Sequence, residues 1–371
     1  YDIKRIILTI GAITGVNIQA GKTLIIMDEI QELHRGLSSL KYFCEDAPEY
    51  HVAVAGSLLG LTLHQGESYP VGKVNTLNMY PMTYEEFLLA RDKKQMLDIL
   101  HMQNWNIIKG LRTLFTQYLR EYYLVGGMPE AVKNFIETND SNSVREIQNE
   151  ILRAYDRDIS KHAPTEQVMR INQVWASIPS QLAKENKKFI YGVVKPGARA
   201  KEYELAIQWL IDAGLVYKVN RINTLGMPLK VHEDIGAFKL FMLDCGLLGA
   251  KNKTPAPLLL LPNNENTNKG DFTENFVCSQ MQTLRNVSIN YYSKENSQLE
   301  LDFVIQLGTH IYPIEVKAEE NLQAKSLKTT LANNPTLVGL RFSMSDYREQ
   351  DRLTNVPLYG INAYLETKKD I

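Results

Sequence analysis

Two short apolar runs near the start of the chain carry the first structural signal. Thr23-Leu-Ile-Ile-Met-Asp28-Glu29 is continuous and ends in two acids, the pattern of a strand buried on both faces in a parallel sheet. His51-Val-Ala-Val-Ala-Gly56-Ser57 repeats it and ends in a small polar residue. Between them, Ser38 to Glu45, with Leu40 and Phe43, reads as the crossover helix that a parallel pair requires. Thr83-Tyr-Glu-Glu86 ahead of Phe87-Leu88-Leu89 is a capping box that opens another helix. From about 96 to 137 the spacing is helical, with Gly126-Gly127 ending one helix and Pro129 beginning the next.

Farther on, helical patterns from about 145 give way to Leu215-Val-Tyr-Lys-Val-Asn-Arg-Ile222 and a turn at Gly226-Met-Pro228, the order of a winged helix. Tyr203, Ala206, Ile207 and Leu210 fall at i, i+3, i+4 and i+7, so one helix face packs inward. A helix is expected from Gly270 to Arg285. After it, Leu299-Glu-Leu-Asp-Phe-Val-Ile-Gln306 alternates. Leu299, Leu301, Phe303 and Ile305 are expected on one strand face, and Glu300, Asp302, Val304 and Gln306 on the other. Gly308-Thr309 makes a turn, and Ile311-Tyr-Pro-Ile-Glu-Val-Lys317 returns with Glu315 and Lys317 two apart on one face.

Composition narrows the class. The chain has 371 residues, 44% hydrophobic and 22% charged, the balance of a globular protein of several domains. No apolar run has the length of a bilayer span, and the first residues lack a signal peptide pattern, so a cytoplasmic, non-membrane protein is expected. Cys44, Cys245 and Cys278 are scattered and read as small hydrophobes, not as a disulfide or zinc framework. The net charge of -1 gives no overall polyanion signal. Between Lys184 and Lys201, however, six basic residues (Lys184, Lys187, Lys188, Lys195, Arg199, Lys201) stand against one acid, Glu185. Such a run suits DNA phosphate contacts, and equally a solvated face or a surface where domains dock.

Two groups of residues carry chemistry. Asp28 and Glu29 stand at the carboxyl end of a strand, where a nucleotide-binding sheet places one carboxylate on Mg²⁺ and a second on the attacking water. Ser57 ends the next strand, where a side chain would reach the γ-phosphate of ATP. The same residues also suit a strand whose end is merely solvated. Gly21-Lys22-Thr23 resembles the end of a phosphate-binding loop but lacks the first glycine, since position 16 is Val16. It also precedes a strand where the loop should follow one. The true loop is expected upstream of Tyr1. In the last third, a hairpin would bring Asp302, Glu315 and Lys317 together, with Glu274 from the preceding helix. This is the D…E-x-K constellation of metal-dependent nucleases: hard carboxylates for Mg²⁺ and a lysine charge beside the attacking water or phosphate. A solvated strand pair is the plainer reading of E-x-K by itself.

Several blocks resemble one prokaryotic family of AAA-like P-loop ATPases that carry a C-terminal restriction-endonuclease-like domain of unknown function. They are residues 24–31, 39–50, 55–60, 69–73, Gly126-Gly-Met-Pro-Glu-Ala131, Tyr155-Asp-Arg-Asp-Ile159, Phe272-Thr-Glu-Asn-Phe-Val277, Glu300-Leu-Asp-Phe-Val304 and Pro313-Ile-Glu-Val-Lys-Ala318. The resemblance implies Asp28 and Glu29 as the Walker B pair, Ser57 at the sensor strand, and Gly127 and Pro129 in a helical lid over the nucleotide.

The resulting expectation is an α/β multidomain protein. Residues 1–92 would be the C-terminal part of an AAA-like core with a partial parallel sheet, 93–140 a helical lid, 141–235 a winged-helix-like domain, and 236–371 a PD-(D/E)XK nuclease-like domain. ATP and Mg²⁺ are the expected cofactors, and DNA the expected partner of the 184–201 region and the C-terminal domain. Asp28, Asp302 and Glu315 are the expected metal ligands, and Glu29, Asp302, Glu315, Lys317 and Glu274 the catalytic residues. A non-cleaving nucleic-acid- or protein-binding C-terminal domain is the alternative, and an oligomer stays open.

Overall fold

Strand β1 (Leu24–Met27) and strand β2 (His51–Val54) pair in parallel, from Leu24 against His51 to Met27 against Val54. The helix Gly36–Asp46 provides the crossover. This computed structural model describes residues 2–33, 35–56, 70–184, 187–260, 269–294, 299–320 and 323–368. By its contacts the chain divides into two units, Tyr1–Met79 with Gln208–Leu215, and Tyr80–Ile207 with Val216–Ile371.

In the first unit, Ile3, Ile25, Phe43 and Ala47 form one apolar cluster, flanked by Ile6, Ile7 and Ile10 of the helix Ile3–Thr14. Ile30, Leu37 and Leu40 form another. The expected burial of β1 on both faces does not hold: Ile25 is buried, but Leu24 is 56% and Ile26 69% exposed. Side chains alternate along a strand, and the clusters cover only the Ile25 side.

The second unit begins with helices. Thr83 caps the helix Tyr84–Ala90: its hydroxyl accepts from the Glu86 amide at 3.2 Å, and the Glu86 carboxylate accepts from the Thr83 amide at 2.7 Å. Helices follow at Lys94–His101, Trp105–Gly110, Arg112–Val125, Pro129–Thr138, Ser141–His162 and Thr165–Leu182. In the helix Ala200–Asp212, whose residues from Gln208 on belong to the first unit, Tyr203, Ala206, Ile207 and Leu210 are all buried, as a 3.6-residue repeat requires.

Among the described residues, eight strands then build one mixed sheet. They are β3 (Val216–Ile222), β4 (Glu233–Met242), β5 (Val287–Ser293), β6 (Glu300–Leu307), β7 (His310–Val316), β8 (Gly339–Ser343), β9 (Arg348–Gln350) and β10 (Leu353–Pro357), in the order β4-β3-β5-β6-β7-β8-β10-β9. The β3–β4 pair, expected as the wing of a separate domain, is continuous with this sheet, because β3 pairs in parallel with β5. The expected boundary at 235/236 falls inside β4.

Pro313 lies in central strand β7, where a missing N–H would usually break a ladder. It is tolerated because the β7–β8 pairing starts only at Ile314. The helix Lys325–Asn333 covers one face of the sheet, packing Leu327 and Leu331 with Ile222, Leu301, Val304, Ile311 and Leu353.

Leu301 and Val304 share that cluster although three residues apart, so the strict alternation expected along β6 is broken. The register shows why. Asn290 pairs with Val304 and Tyr292 with Leu301, so Tyr291 alone faces Asp302 and Phe303. This is a β-bulge, which re-aims side chains and ends regular pairing.

Candidate functional site

The bulge lies at the end of the β6–β7 hairpin. Its turn begins at Gly308, whose φ of 54° suits a glycine, and pairing runs from Leu307–His310 to Phe303–Ile314. One step farther, the Asp302 carboxylate replaces the ladder: Oδ2 accepts the Val316 amide at 2.7 Å. Glu315 pairs in register with buried Arg341 of β8, and the Lys317 amide donates to Phe342 O at 2.8 Å. Lys317 Nζ stands 2.6 Å from Glu315 Oε1. The structure therefore brings together Asp302, Glu315 and Lys317.

Glu274, on the helix Lys269–Gln282, joins them electrostatically, since its charge and that of Glu315 both act on Asp302. Burial first, then Glu274 and Glu315, push the Asp302 carboxyl up to about 8, against the pull of Lys239 and the Val316 amide. Lys317 is held above the usual lysine range: burial works against its charge, but the Glu315 hydrogen bond and the charges of Glu315, Asp302 and Glu274 outweigh it.

Two lysines at this site were not expected there. Lys239, in the buried run Ala237–Met242, is 1% exposed. Its Nζ lies 2.8 Å from Glu300 Oε1 and 4.8 Å from the centre of the Tyr291 ring, on the residue opposite the bulge. Burial disfavours its charge, yet Glu274, Glu300 and Asp302 together raise its pKa. A lysine inside an otherwise apolar strand is the sequence signal that could have found it. Lys187 has no such signal, being one of six basic residues in a run. Its Nζ is buried 2.7 Å from Glu274 Oε1, so it is removed from the expected DNA-facing group. Lys195, Arg199 and Lys201 are exposed. Asp271, one turn before Glu274, is pushed up to about 7, chiefly by burial, with Lys187 opposing and Glu274 adding.

Among the described residues, no three His, Cys, Asp or Glu side chains form a ready-made metal cage. Mg²⁺ needs less, since it keeps several waters and is commonly held by one or two carboxylates. The donors present fit that pattern: Asp302 and Glu315 offer hard carboxylate oxygens, and Glu274 Oε2 is buried without a hydrogen-bond partner.

The residues expected at a nucleotide site are distributed differently. Asp28 and Glu29 follow β1 in the first unit, both exposed, with Asp28 Oδ1 accepting the Glu29 amide at 3.0 Å. Glu29 has a left-handed φ of 49°, and the next amide, of Ile30, donates to Ala55 O after β2. Ser57 lies outside the described residues.

Gly127 and Pro129, expected in a lid over the nucleotide, belong to the second unit. Gly127 is buried, its N–H donates to Asp244 Oδ2 at 2.6 Å, and its carbonyl accepts from the Met82 amide at 2.7 Å. Both of its backbone groups are therefore engaged inside the protein. Pro129 is exposed and starts the helix Pro129–Thr138, where its missing N–H is not needed.

Residues 3–88 match an AAA domain. Residues 116–257 match a domain of unknown function, DUF8612, and residues 269–361 a second, DUF4143. The AAA match and the DUF4143 match support an AAA-like ATPase family and an ATPase-type function for the AAA-like part. No curated protein matches the chain. A crystal structure of protein VC1899 from Vibrio cholerae is similar at 13% identity over 56% of this chain and 57% of its own length, with a TM-score of 0.22. So loose a likeness bears on neither fold nor function. No helix among the described residues is long and apolar enough to cross a membrane.

Proposed function

We propose that the protein is an ATP-binding and ATP-hydrolysing AAA-like ATPase whose C-terminal sheet carries a Mg²⁺-dependent, nuclease-like site directed at DNA. One observation carries the second half of this reading: the Asp302 carboxylate, held by the Val316 amide at the bulged end of the hairpin, beside the Glu315–Lys317 pair. Asp302 and Glu315 would hold Mg²⁺, which supplies positive charge against a developing phosphate charge and lowers the pKa of a water. Lys317, fixed by Glu315, adds a point charge for the scissile phosphate or the attacking water. Glu274 would accept a proton from that water or help to orient it. Lys184, Lys188, Lys195, Arg199 and Lys201 would track the DNA backbone with salt-dependent, sequence-blind contacts. In the AAA-like part, Asp28 would hold the nucleotide's Mg²⁺, Glu29 would orient the attacking water, and Ser57 would sense the γ-phosphate.

The test is nicking of supercoiled plasmid with and without Mg²⁺. Asp302→Asn and Lys317→Ala should each abolish it, and cutting that persists in both rejects the assignment. A second reading, DNA or protein binding without cleavage, is favoured by the Lys187 ammonium on Glu274. It gains if the wild type shifts DNA in a gel yet never nicks it.

A further inference from the structure

Lys187 reaches the acid cluster from outside the sheet. It stands between the helices Thr165–Leu182 and Tyr191–Val194, in a segment fixed just beyond it. The Phe189 amide donates to Phe238 O of β4 at 2.8 Å. Gln181 brackets Ile190, donating to its carbonyl at 2.9 Å and accepting from its amide at 3.0 Å. Both members of the Lys187–Glu274 pair are only 9% exposed at the side chain. Burying an ion pair is costly and stabilises little by itself, and Glu274 uses only one oxygen on it. Oε2 is buried with no hydrogen-bond partner, and the Glu274 charge acts on both Asp302 and Lys317. A buried acceptor left bare is a cost that a ligand would remove.

We infer that Lys187 is the resident counter-cation of the acid cluster, and that a divalent cation entering at Asp302 and Glu315 displaces its ammonium from Glu274. This rests on the metal-site reading above. The exchange makes no covalent bond: the ammonium keeps its protons and moves to solvent, and Glu274 is left facing the divalent ion and its water. The +2 charge then takes over from +1 in balancing acids that repel one another.

Two measurements test it. In the wild-type protein, lysine acetylation read site by site by mass spectrometry should find Lys187 protected in EDTA and labelled in saturating Mn²⁺, with Lys239 protected in both. Lys187 that stays protected with Mn²⁺ bound overturns the inference, and this arm needs no variant to fold. By calorimetric titration, Lys187→Met should bind Mn²⁺ about tenfold tighter, because a nearby positive charge has been removed, while Lys187→Arg should bind like the wild type. Unchanged or weaker binding in Lys187→Met also overturns it. Asp302→Asn separates the two ideas. If it abolishes Mn²⁺ binding while Lys187→Met changes nothing, the metal site stands and the displacement alone is wrong. If it leaves Mn²⁺ binding intact, the metal site fails and takes the displacement with it.

Discussion

Asp302 accepts the Val316 amide at 2.7 Å, one step beyond the last paired residues of the β6–β7 hairpin. Its carboxyl, pushed up to about 8, loses its proton at a cost to the fold. A folded-state pKa above the ordinary carboxylate value contributes stability at low pH that is lost as pH rises through the folded pKa. Asn at this position carries no charge at any pH and can still accept from Val316. In EDTA at pH 9, Asp302→Asn should therefore melt about 2 °C or more above the wild type. The gap should narrow by pH 6 and close only near pH 4, below which the unfolded chain also keeps this proton. A lower melting temperature at pH 9 would show that the charged form is not strained.

Asp244 accepts Gly127 at 2.6 Å and Leu247 at 2.8 Å on different oxygens. Asp244→Asn must turn an NH₂ group toward one of these donors, and should cost about 1–3 kcal/mol in denaturant unfolding. Burial pushes this carboxyl up to about 6, against the Gly127, Leu247 and Gly246 amides. Its contribution is therefore complete at low pH and lost as pH rises through about 6, so the gap between wild type and Asp244→Asn should widen from pH 7.5 to pH 5. Gly126→Ala should also destabilise, because a Cβ there would stand 2.2 Å from Asp244 Oδ1 on a backbone with φ 73°.

Lys239→Met leaves Glu300 facing a site from which its partner has gone. The expected loss is about 3–5 kcal/mol. The double variant Lys239→Met with Glu300→Gln should recover much of it, since the orphaned charge is then absent. Equal losses in the single and double variants would mean that packing, not charge, holds Lys239.

Glu29→Gln should lower ATP turnover by about a hundredfold or more while leaving nucleotide binding in place. Asp28→Ala should weaken the Mg²⁺ dependence of that binding. Parallel measurements of phosphate release and of fluorescent-nucleotide affinity separate the two, and unchanged turnover in Glu29→Gln would remove Glu29 from catalysis.

Local chemistry made much of this molecule legible beforehand. The β1–helix–β2 unit, the Thr83–Glu86 capping box, the Gly308 turn and the shared face of Glu315 and Lys317 depend on neighbours a few residues away. Their signals are written as periodicity, caps and turn residues. Tertiary structure alone decided the rest. The bulge at Asp302 follows from how β5 meets β6 and breaks the alternation of a strand whose sequence alternates. The β3–β4 pair reads locally as a wing, and only its pairing with β5 makes it part of the large sheet. Lys187 belongs by sequence to an exposed basic run, yet an acid 87 residues away removes it from solvent. Gly127 reads locally as the end of a helix, and only the fold brings Asp244, 117 residues on, to its amide. In each case the deciding partner is distant in the chain, and a buried charge or amide takes whichever partner the assembled fold brings within reach.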